Sequence, residues 1–259
     1  NFLTVRPALA SLLGNTDAPA LRSTAIRTLA GFTHTEVAKT LLEPWAAYTP
    51  AVREEVLAAI LARRDRIGAL LAAIEAKVVN PGQVSGTRRT QILANPDATI
   101  KARAEKVFGQ SSSGTRADVL ARYQAALALP GDVVRGSKVY DAICAACHRY
   151  AGWGVEIGPN LETIRGWDRE KIMLNILDPN REVAANYIAY IVELKDGSSL
   201  SGMITEETAG SIKLRRLGAP EETILRQNIA KLTSSAVSLM PMQISLVAAQ
   251  KPLAIQRLV

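Results

Sequence analysis

Residues 144–148 read Cys-Ala-Ala-Cys-His, and this single run uses both cysteines and one of only two histidines in a chain of 259 residues. Three chemistries use two thiols at this spacing beside an imidazole. A structural zinc site needs about four Cys or His ligands, and only His34, in the opposite half of the sequence, remains to contribute. A redox dithiol or disulfide of the C-x-x-C type opens a helix after a strand in a βαβ unit, whereas the flanks here read as helical. The third chemistry is covalent attachment of haem. Two thiols on the first turn of a helix each form a thioether with a vinyl group, and the adjacent histidine lies under the iron as its proximal ligand. The spacing favours this last reading, with Cys144 and Cys147 as the thioether residues and His148 as the proximal ligand.

A proximal histidine donates its second ring N–H to a fixed acceptor, which sets ring orientation and basicity. The run Gly158 to Leu161 (GPNL) follows the motif and nominates the Pro159 carbonyl; an ordinary Gly-Pro turn is the alternative. Trp153 and Trp167 are candidates to contact a haem through ring face and N–H. Arg165 is a candidate partner for a propionate. Core packing for the tryptophans and a plain surface position for the arginine explain these residues about as well. The opposite side of the iron is either filled by a protein ligand or open to small molecules. His34 falls in the helical first half and is expected to be a surface or packing residue. Met173 sits in the apolar pattern of a short helix and is expected in the core, and Met203 falls in a predicted strand. Met240 and Met242 flank Pro241 in a loop, and a thioether ligand raises the potential and suits an electron carrier. Met240 is the first candidate for the distal ligand and Met242 its rival.

The elements that carry these residues differ along the chain. From about residue 17 to 109, apolar residues recur at helical spacing between Pro and Gly punctuation. PALRSTAIRTLA (Pro19 to Ala30) aligns with PAVREEVLAAIL (Pro50 to Leu61) at an offset of 31 residues, matching Leu21 with Val52, Ile26 with Leu57, Leu29 with Ile60 and Arg22 with Arg53. Each unit continues into a second helical stretch, 35–48 and 66–79, and residues 97–109 echo the first unit. Paired helices at this period read as a short HEAT-like solenoid, an architecture that serves as a scaffold. GQSSSGT (Gly109 to Thr115) reads as a flexible joint. A helix over 116–129 follows, and Pro130-Gly131-Asp132 ends it. Residues 168–177 read as a helix with Asp168 at its N-cap. Runs of β-formers at 187–195, 198–204, 211–217 and 222–229, with Asp196-Gly197 as a hairpin turn, predict a small antiparallel sheet ahead of a last helical segment.

Composition narrows the function classes. The chain is 48% hydrophobic, 21% charged and 5% aromatic, as in a soluble Ala- and Leu-rich helical protein. No stretch approaches the roughly 20 apolar residues of a membrane span. The formal charge is +7, and residues 1–130 hold 16 Lys/Arg against 10 Asp/Glu. No basic run with interleaved aromatics accompanies that excess, so the charges read as solvated helix faces and no nucleic-acid partner is expected. The N-terminus, Asn1 to Thr4, shows no signal peptide; either one has been removed or the chain is a piece of a longer protein.

The run YQAALALPGDVVRGSKVYDAICAACHRYAGWGVEIGPNL, followed by ILDPNREV, DGSSLSGMITEET, LRQNIAKL and SLMP, resembles the Pirellula/Verrucomicrobium-type haem-binding C-x-x-C-H cytochrome c domain. The resemblance covers about Tyr123 to Pro241, and the preceding ANPDATIKARAEKVFG is similar to the helical segment that commonly precedes that domain. It implies a cytochrome c core with a small β insertion, at about 187–229, between the proximal loop and the Met loop; with the repeats read above, the chain is expected to be mainly α, HEAT-like over 1–115 and a c-type cytochrome domain over 116–259. It implies one covalently attached haem c on Cys144 and Cys147, His148 as proximal ligand, and Met240, at the family's SLMP position, as distal ligand. Members are often joined to a sugar-dehydrogenase-like β-propeller with HEAT-like repeats between, so a quinoprotein-type sugar or alcohol dehydrogenase domain or subunit is the implied redox partner. After SLMP the family continues with an acidic, Gly-containing turn and a helix, whereas this chain has MQISLVAAQKPLAIQRLV, with Met242 and a helix-interrupting Pro252.

The leading expectation is an exported one-electron carrier, periplasmic or extracellular because c-type haem is attached outside the cytoplasm, and without substrate chemistry of its own. The rivals are a haem enzyme or gas sensor with an open distal site, which lacks a second histidine in the haem half, and a scaffold subunit of a larger redox assembly.

Overall fold

The computed structural model of the chain describes residues 1–14, 18–109 and 114–240. The helical first half comprises α1 (Phe2–Gly14), α2 (Pro19–Gly31), α3 (Glu36–Leu42), α4 (Pro50–Leu61), α5 (Ile67–Glu75), α6 (Gly86–Leu93) and α7 (Ala98–Gly109). The repeated units are α2 and α4, each with Pro at its first position, where a missing N–H leaves nothing unsatisfied and the fixed φ suits the first turn. Ile26, Leu29, Leu57 and Ile60 are fully buried, as their matched spacing requires. Leu21 departs from its counterpart, being 54% exposed where Val52 is 6% exposed.

The second helices of the units are shorter than expected. Over 35–48, α3 stops at Leu42 and Trp45–Ala47 forms a 3-10 turn, because Pro44 cannot supply a helical N–H. Over 66–79, α5 ends at Glu75 and Lys77 turns into the left-handed region at φ 60°. The charges are not all solvated either. Arg22, Arg53 and Arg66 are buried. Arg66 donates to the Ala59, Ala30 and Phe32 carbonyls at 3.1, 2.9 and 2.5 Å, covering the C-terminal ends of α2 and α4, where carbonyls lack helical partners.

The middle of the chain holds α8 (Gly114–Tyr123), α9 (Val133–Val139), the hairpin β1 (Arg149–Tyr150) and β2 (Trp153–Gly154), and α10 (Arg169–Leu177). The expected helix over 116–129 is α8 followed by a 3-10 turn, Gln124–Ala128. Residues 110–113 of the expected joint lie outside the described residues. Asp168 stands at the N-cap of α10, but its side chain makes no capping hydrogen bond; the first turn is closed by Ile172 N–H on the Asp168 carbonyl. Tyr123, Met173 and Leu177 form a small core between α8 and α10, joined by Val119, Leu120 and Leu127.

The sheet is larger than a small insertion. Its strands are β3 (Ile188–Leu194), β4 (Ser199–Glu207), β5 (Ser211–Arg215), β6 (Glu222–Leu225) and β7 (Ile229–Ser238), in the order β6-β5-β4-β3-β7. Antiparallel pairing sets Tyr190 opposite Gly202 and Ile212 opposite Ile224. Residues 230–238, expected to lead into a helical segment, are strand β7, held through Gln83 Nε2 to Ser234 Oγ at 3.3 Å and Ser235 Oγ to the Ala189 carbonyl at 3.1 Å.

The sheet also belongs with the helices of the first half rather than with the C-x-x-C-H segment. The chain divides into two compact units, one of Asn1–Gly109 with Val183–Val237, the other holding the described residues 114–182 and 238–240. Physical ties explain the first grouping. Tyr190 donates its hydroxyl to the Tyr48 carbonyl at 2.9 Å, and Val183 N–H bonds the Gly82 carbonyl at 2.9 Å. The Arg53 guanidinium lies 5.2 Å from the Trp45 ring and 5.4 Å from the Tyr190 ring, a buried cation held by two aromatic faces. Trp45 in turn donates to Gln83 Oε1 at 2.7 Å.

Candidate functional site

Asp132 starts the local structure: its carboxylate accepts the Arg135 N–H at 2.9 Å and caps α9. The helix then widens into a π turn, Tyr140–Cys144, closed by Ala145 N–H on the Tyr140 carbonyl at 2.9 Å; such turns collect at functional sites. The Cys144 carbonyl accepts both Cys147 N–H (3.0 Å) and His148 N–H (2.8 Å). Cys144, Cys147 and His148 therefore share one turn, and all three side chains are half-buried.

After His148 the chain reverses through β1 and β2, with Tyr150 paired to Trp153. The two turn residues, Ala151 and Gly152, both have positive φ, 51° and 81°, the conformation of a type I′ hairpin turn. The returning strand binds the turn it left: Val155 N–H bonds the Ala145 carbonyl at 2.9 Å, and Ile157 and Gly158 N–H bond the Cys147 carbonyl at 3.0 and 2.6 Å. This delivers the Pro159 carbonyl to 2.8 Å from His148 Nδ1. A carbonyl only accepts, so Nδ1 carries a proton, the tautomer that in a neutral ring leaves Nε2 as the ligating nitrogen. Asn160 then caps the next turn by accepting Glu162 N–H at 2.9 Å.

Two glycines make this approach possible. A Cβ on Gly158 would lie 2.5 Å from His148 Cε1, and one on Gly154, which has φ 95°, would collide with the His148 carbonyl and the Tyr140 hydroxyl. Sequence reasoning missed Tyr140, Gly154 and Gly158. The available signals were an aromatic residue four positions before the first cysteine and the close spacing of glycines in GWGVEIGP.

Burial raises both thiol pKa values. Cys144 is pushed up to about 11, mainly by desolvation and then by the neighbouring Cys147, and desolvation raises Cys147. Redox and thiolate-ligand cysteines show the opposite shift. Among the described residues no three His, Cys, Asp or Glu side chains converge, so a zinc site here lacks its ligand set. His34 stacks on Phe2 at 4.4 Å between centroids, and its Nδ1 accepts the Glu36 N–H.

The remaining expected residues are placed as follows. Trp153 is 65% exposed and Trp167 37% exposed, the latter under Lys171 Nζ at 3.9 Å from the ring. Arg165 is exposed. Among the described residues no hydrogen bond, ion pair or ring contact joins these three side chains to those of Cys144, Cys147 or His148. Met173 and Met203 are buried. Met240 is half-buried; its N–H bonds Ser238 Oγ at 3.1 Å, and Ser238 N–H bonds Asn180 Oδ1 at 2.8 Å. Residues 238–240 thus belong to the unit that carries the C-x-x-C-H turn. Met242 lies outside the described residues.

Residues 133–207 match the cytochrome c family. A cytochrome c domain is present. The matched stretch takes in α9, the C-x-x-C-H turn, the loop to Pro159 and α10, and continues through β3 and β4. No curated protein matches the chain. The domain implies covalently bound haem c and supports a haem-binding, electron-transfer function.

The residues fit that group. Two protonated thiols and an imidazole with Nε2 free share one turn, and Gly158 keeps the ring face clear. In the described part of this unit Tyr123, Met173 and Leu177 form a side-chain cluster, and Ala126, Ala145 and Ile157 are also buried, while Val133, Val134, Trp153 and Val155 are exposed. No described helix is long and apolar enough to cross a membrane.

Proposed function

We propose that the chain is a mono-haem c-type cytochrome that relays single electrons, taken from a dehydrogenase domain or subunit of the quinoprotein type, in the periplasm or outside the cell. The observation that carries the reading is the His148–Pro159 hydrogen bond, formed on the same turn that presents Cys144 and Cys147. In this reading the two sulfurs hold the haem as thioethers and His148 Nε2 is the proximal ligand. The Pro159 carbonyl fixes the ring and makes it a stronger donor. Met240 is the distal ligand, on a segment tied to Asn180 through Ser238, with Met242 as the alternative sulfur. The bound group supplies a one-electron iron couple; the chain supplies attachment, orientation and shielding from water. Trp153, Trp167 and Arg165 are assigned to the surface around the haem. The helical repeats, HEAT-like in this reading, together with the five-stranded sheet form a scaffold carrying the cytochrome domain within a larger redox assembly.

The test is the visible spectrum of the reduced protein with and without carbon monoxide. Low-spin bands unchanged by the gas support two protein ligands and electron transfer. Rapid gas binding would replace this reading with an open-site haem protein.

A further inference from the structure

The C-x-x-C-H turn is braced by a side chain that the reading above leaves without a role. Tyr140 opens the π turn, and its hydroxyl lies 2.6 Å from the His148 carbonyl and 2.9 Å from the Trp153 carbonyl. A phenol has one proton, so it donates to one of these oxygens or is shared between them. The ring is held edge-on against Tyr150, with centroids 6.2 Å apart.

Both carbonyls stand at joints of the site. The turn ends at His148, and its last carbonyls need donors from elsewhere. Ala145 receives one from Val155, and Cys147 receives two, from Ile157 and Gly158. His148 receives its donor from Tyr140. Within this described set only Tyr140 donates from a side chain. Trp153 immediately precedes Gly154, and Gly154 has no Cβ where one would press on the phenol oxygen. From Gly154 the backbone runs directly to Pro159, whose carbonyl holds His148 Nδ1. The phenol therefore touches both sides of the His148–Pro159 hydrogen bond: the backbone that carries the ring, and the strand that carries its acceptor.

Resting on the haem reading above, we propose that the Tyr140 hydroxyl is a positioning residue for the axial histidine, fixing the ring against its Pro159 acceptor and so setting the donor strength of Nε2. A proximal histidine held to an acceptor is the more basic ligand and favours oxidised iron. Releasing the brace weakens that hydrogen bond and moves the potential up.

Tyr140→Phe keeps the ring and removes only the hydroxyl. Wild type and variant are matured with haem in full-length form, checked for haem content by a denaturing-gel haem stain, and titrated redox-potentiometrically. Proton NMR of the ferric state reports the His148 ring signals. The expected result is equal haem content, shifted ring signals, and a three- to tenfold rise in the reduced-to-oxidised ratio at fixed ambient potential. Tenfold corresponds to about 59 mV for one electron. If the variant does not fold, site-specific 3-fluorotyrosine at position 140, a stronger donor of the same shape, is expected to shift the potential the opposite way. An unchanged potential and unchanged ring signals, even with a lower melting temperature, would overturn the positioning role and leave a purely structural one. Wild-type protein without haem would overturn the underlying reading, and the role of Tyr140 with it.

Discussion

Replacing Gly158 with alanine tests the geometry of the proximal side through one methyl group. That methyl would lie 2.5 Å from His148 Cε1, 2.8 Å from Nδ1 and 2.9 Å from Nε2, against ordinary contacts of 3.4–4 Å. Gly158 has an ordinary φ, so the effect comes from crowding rather than from backbone conformation. To restore normal contact the ring must withdraw by roughly 1 Å, which stretches the 2.8 Å bond to Pro159 beyond the range of about 2.7–3.2 Å for a hydrogen bond. Losing that bond costs about 0.5–1.5 kcal/mol, and forcing a methyl into a filled space costs about 1–3 kcal/mol. The expected sum, about 1.5–4.5 kcal/mol, lowers the melting temperature by on the order of 10 °C or more in a unit of this size. Melting of the haem-loaded protein, followed by its strongest visible band, measures it, and the low-spin signature should weaken in parallel. Gly166→Ala is the control, since a Cβ there meets nothing within 4 Å. If G158A melts with G166A and keeps the wild-type spectrum, His148 does not sit where the geometry places it.

On the distal side, Met240→Ala should abolish the weak near-infrared sulfur-to-iron band of the oxidised protein, and Asn180→Ala, which frees Ser238 N–H, should weaken it; a band that survives M240A assigns the ligand to Met242. Burial raises the pKa of Tyr48 and Tyr190 above the usual 10.0. Their contribution to stability is therefore complete below pH 10 and falls as pH rises further, because the unfolded chain releases its phenol protons first. Phenolate absorbance should show these two of the six tyrosines ionising only together with loss of circular dichroism, and ionisation of both before unfolding would contradict their burial. Arg226 donates from Nη2 to Glu207 Oε1 at 2.5 Å, with side-chain exposures of 2% and 16%. Arg226→Ala should cost about 3–5 kcal/mol in denaturant unfolding, the penalty of stranding a buried charge; a loss below about 1 kcal/mol would mean the pair behaves like an exposed one.

The C-x-x-C-H turn and the GPNL run were legible because their chemistry is local: short spacing puts two thiols and an imidazole on one turn, and a nearby loop offers the carbonyl. The residues that make room for this, Gly154 and Gly158, carry no chemistry of their own, and their necessity shows only when loop and ring meet. Tyr140 is similar, since nothing in its spacing reveals that its hydroxyl faces two carbonyls. The β-former runs announced β3 to β6 through alternation and a turn at Asp196-Gly197. Strand β7 was hidden because IAKLTSSAVS is rich in small hydroxyl residues, and its order comes from Gln83 and the Ala189 carbonyl, far away in sequence. The same holds for the place of the sheet: Tyr190 on Tyr48 and Arg53 between Trp45 and Tyr190 join segments more than a hundred residues apart. The charged positions misled for a related reason. The basic excess of residues 1–130 reads as solvated helix faces, while the fold buries Arg22, Arg53 and Arg66, setting Arg53 against aromatic faces and Arg66 on helix-end carbonyls.

The most direct measurement is the intact mass of the denatured chain, purified from cells that mature c-type cytochromes, for wild type and for the Cys144→Ser/Cys147→Ser variant. The expected result is wild-type chain heavier by the mass of one haem, with the double variant carrying none. Haem that washes away on denaturation, a mass showing more than one haem, or haem retained by the double variant would contradict a single group held by the CAACH turn.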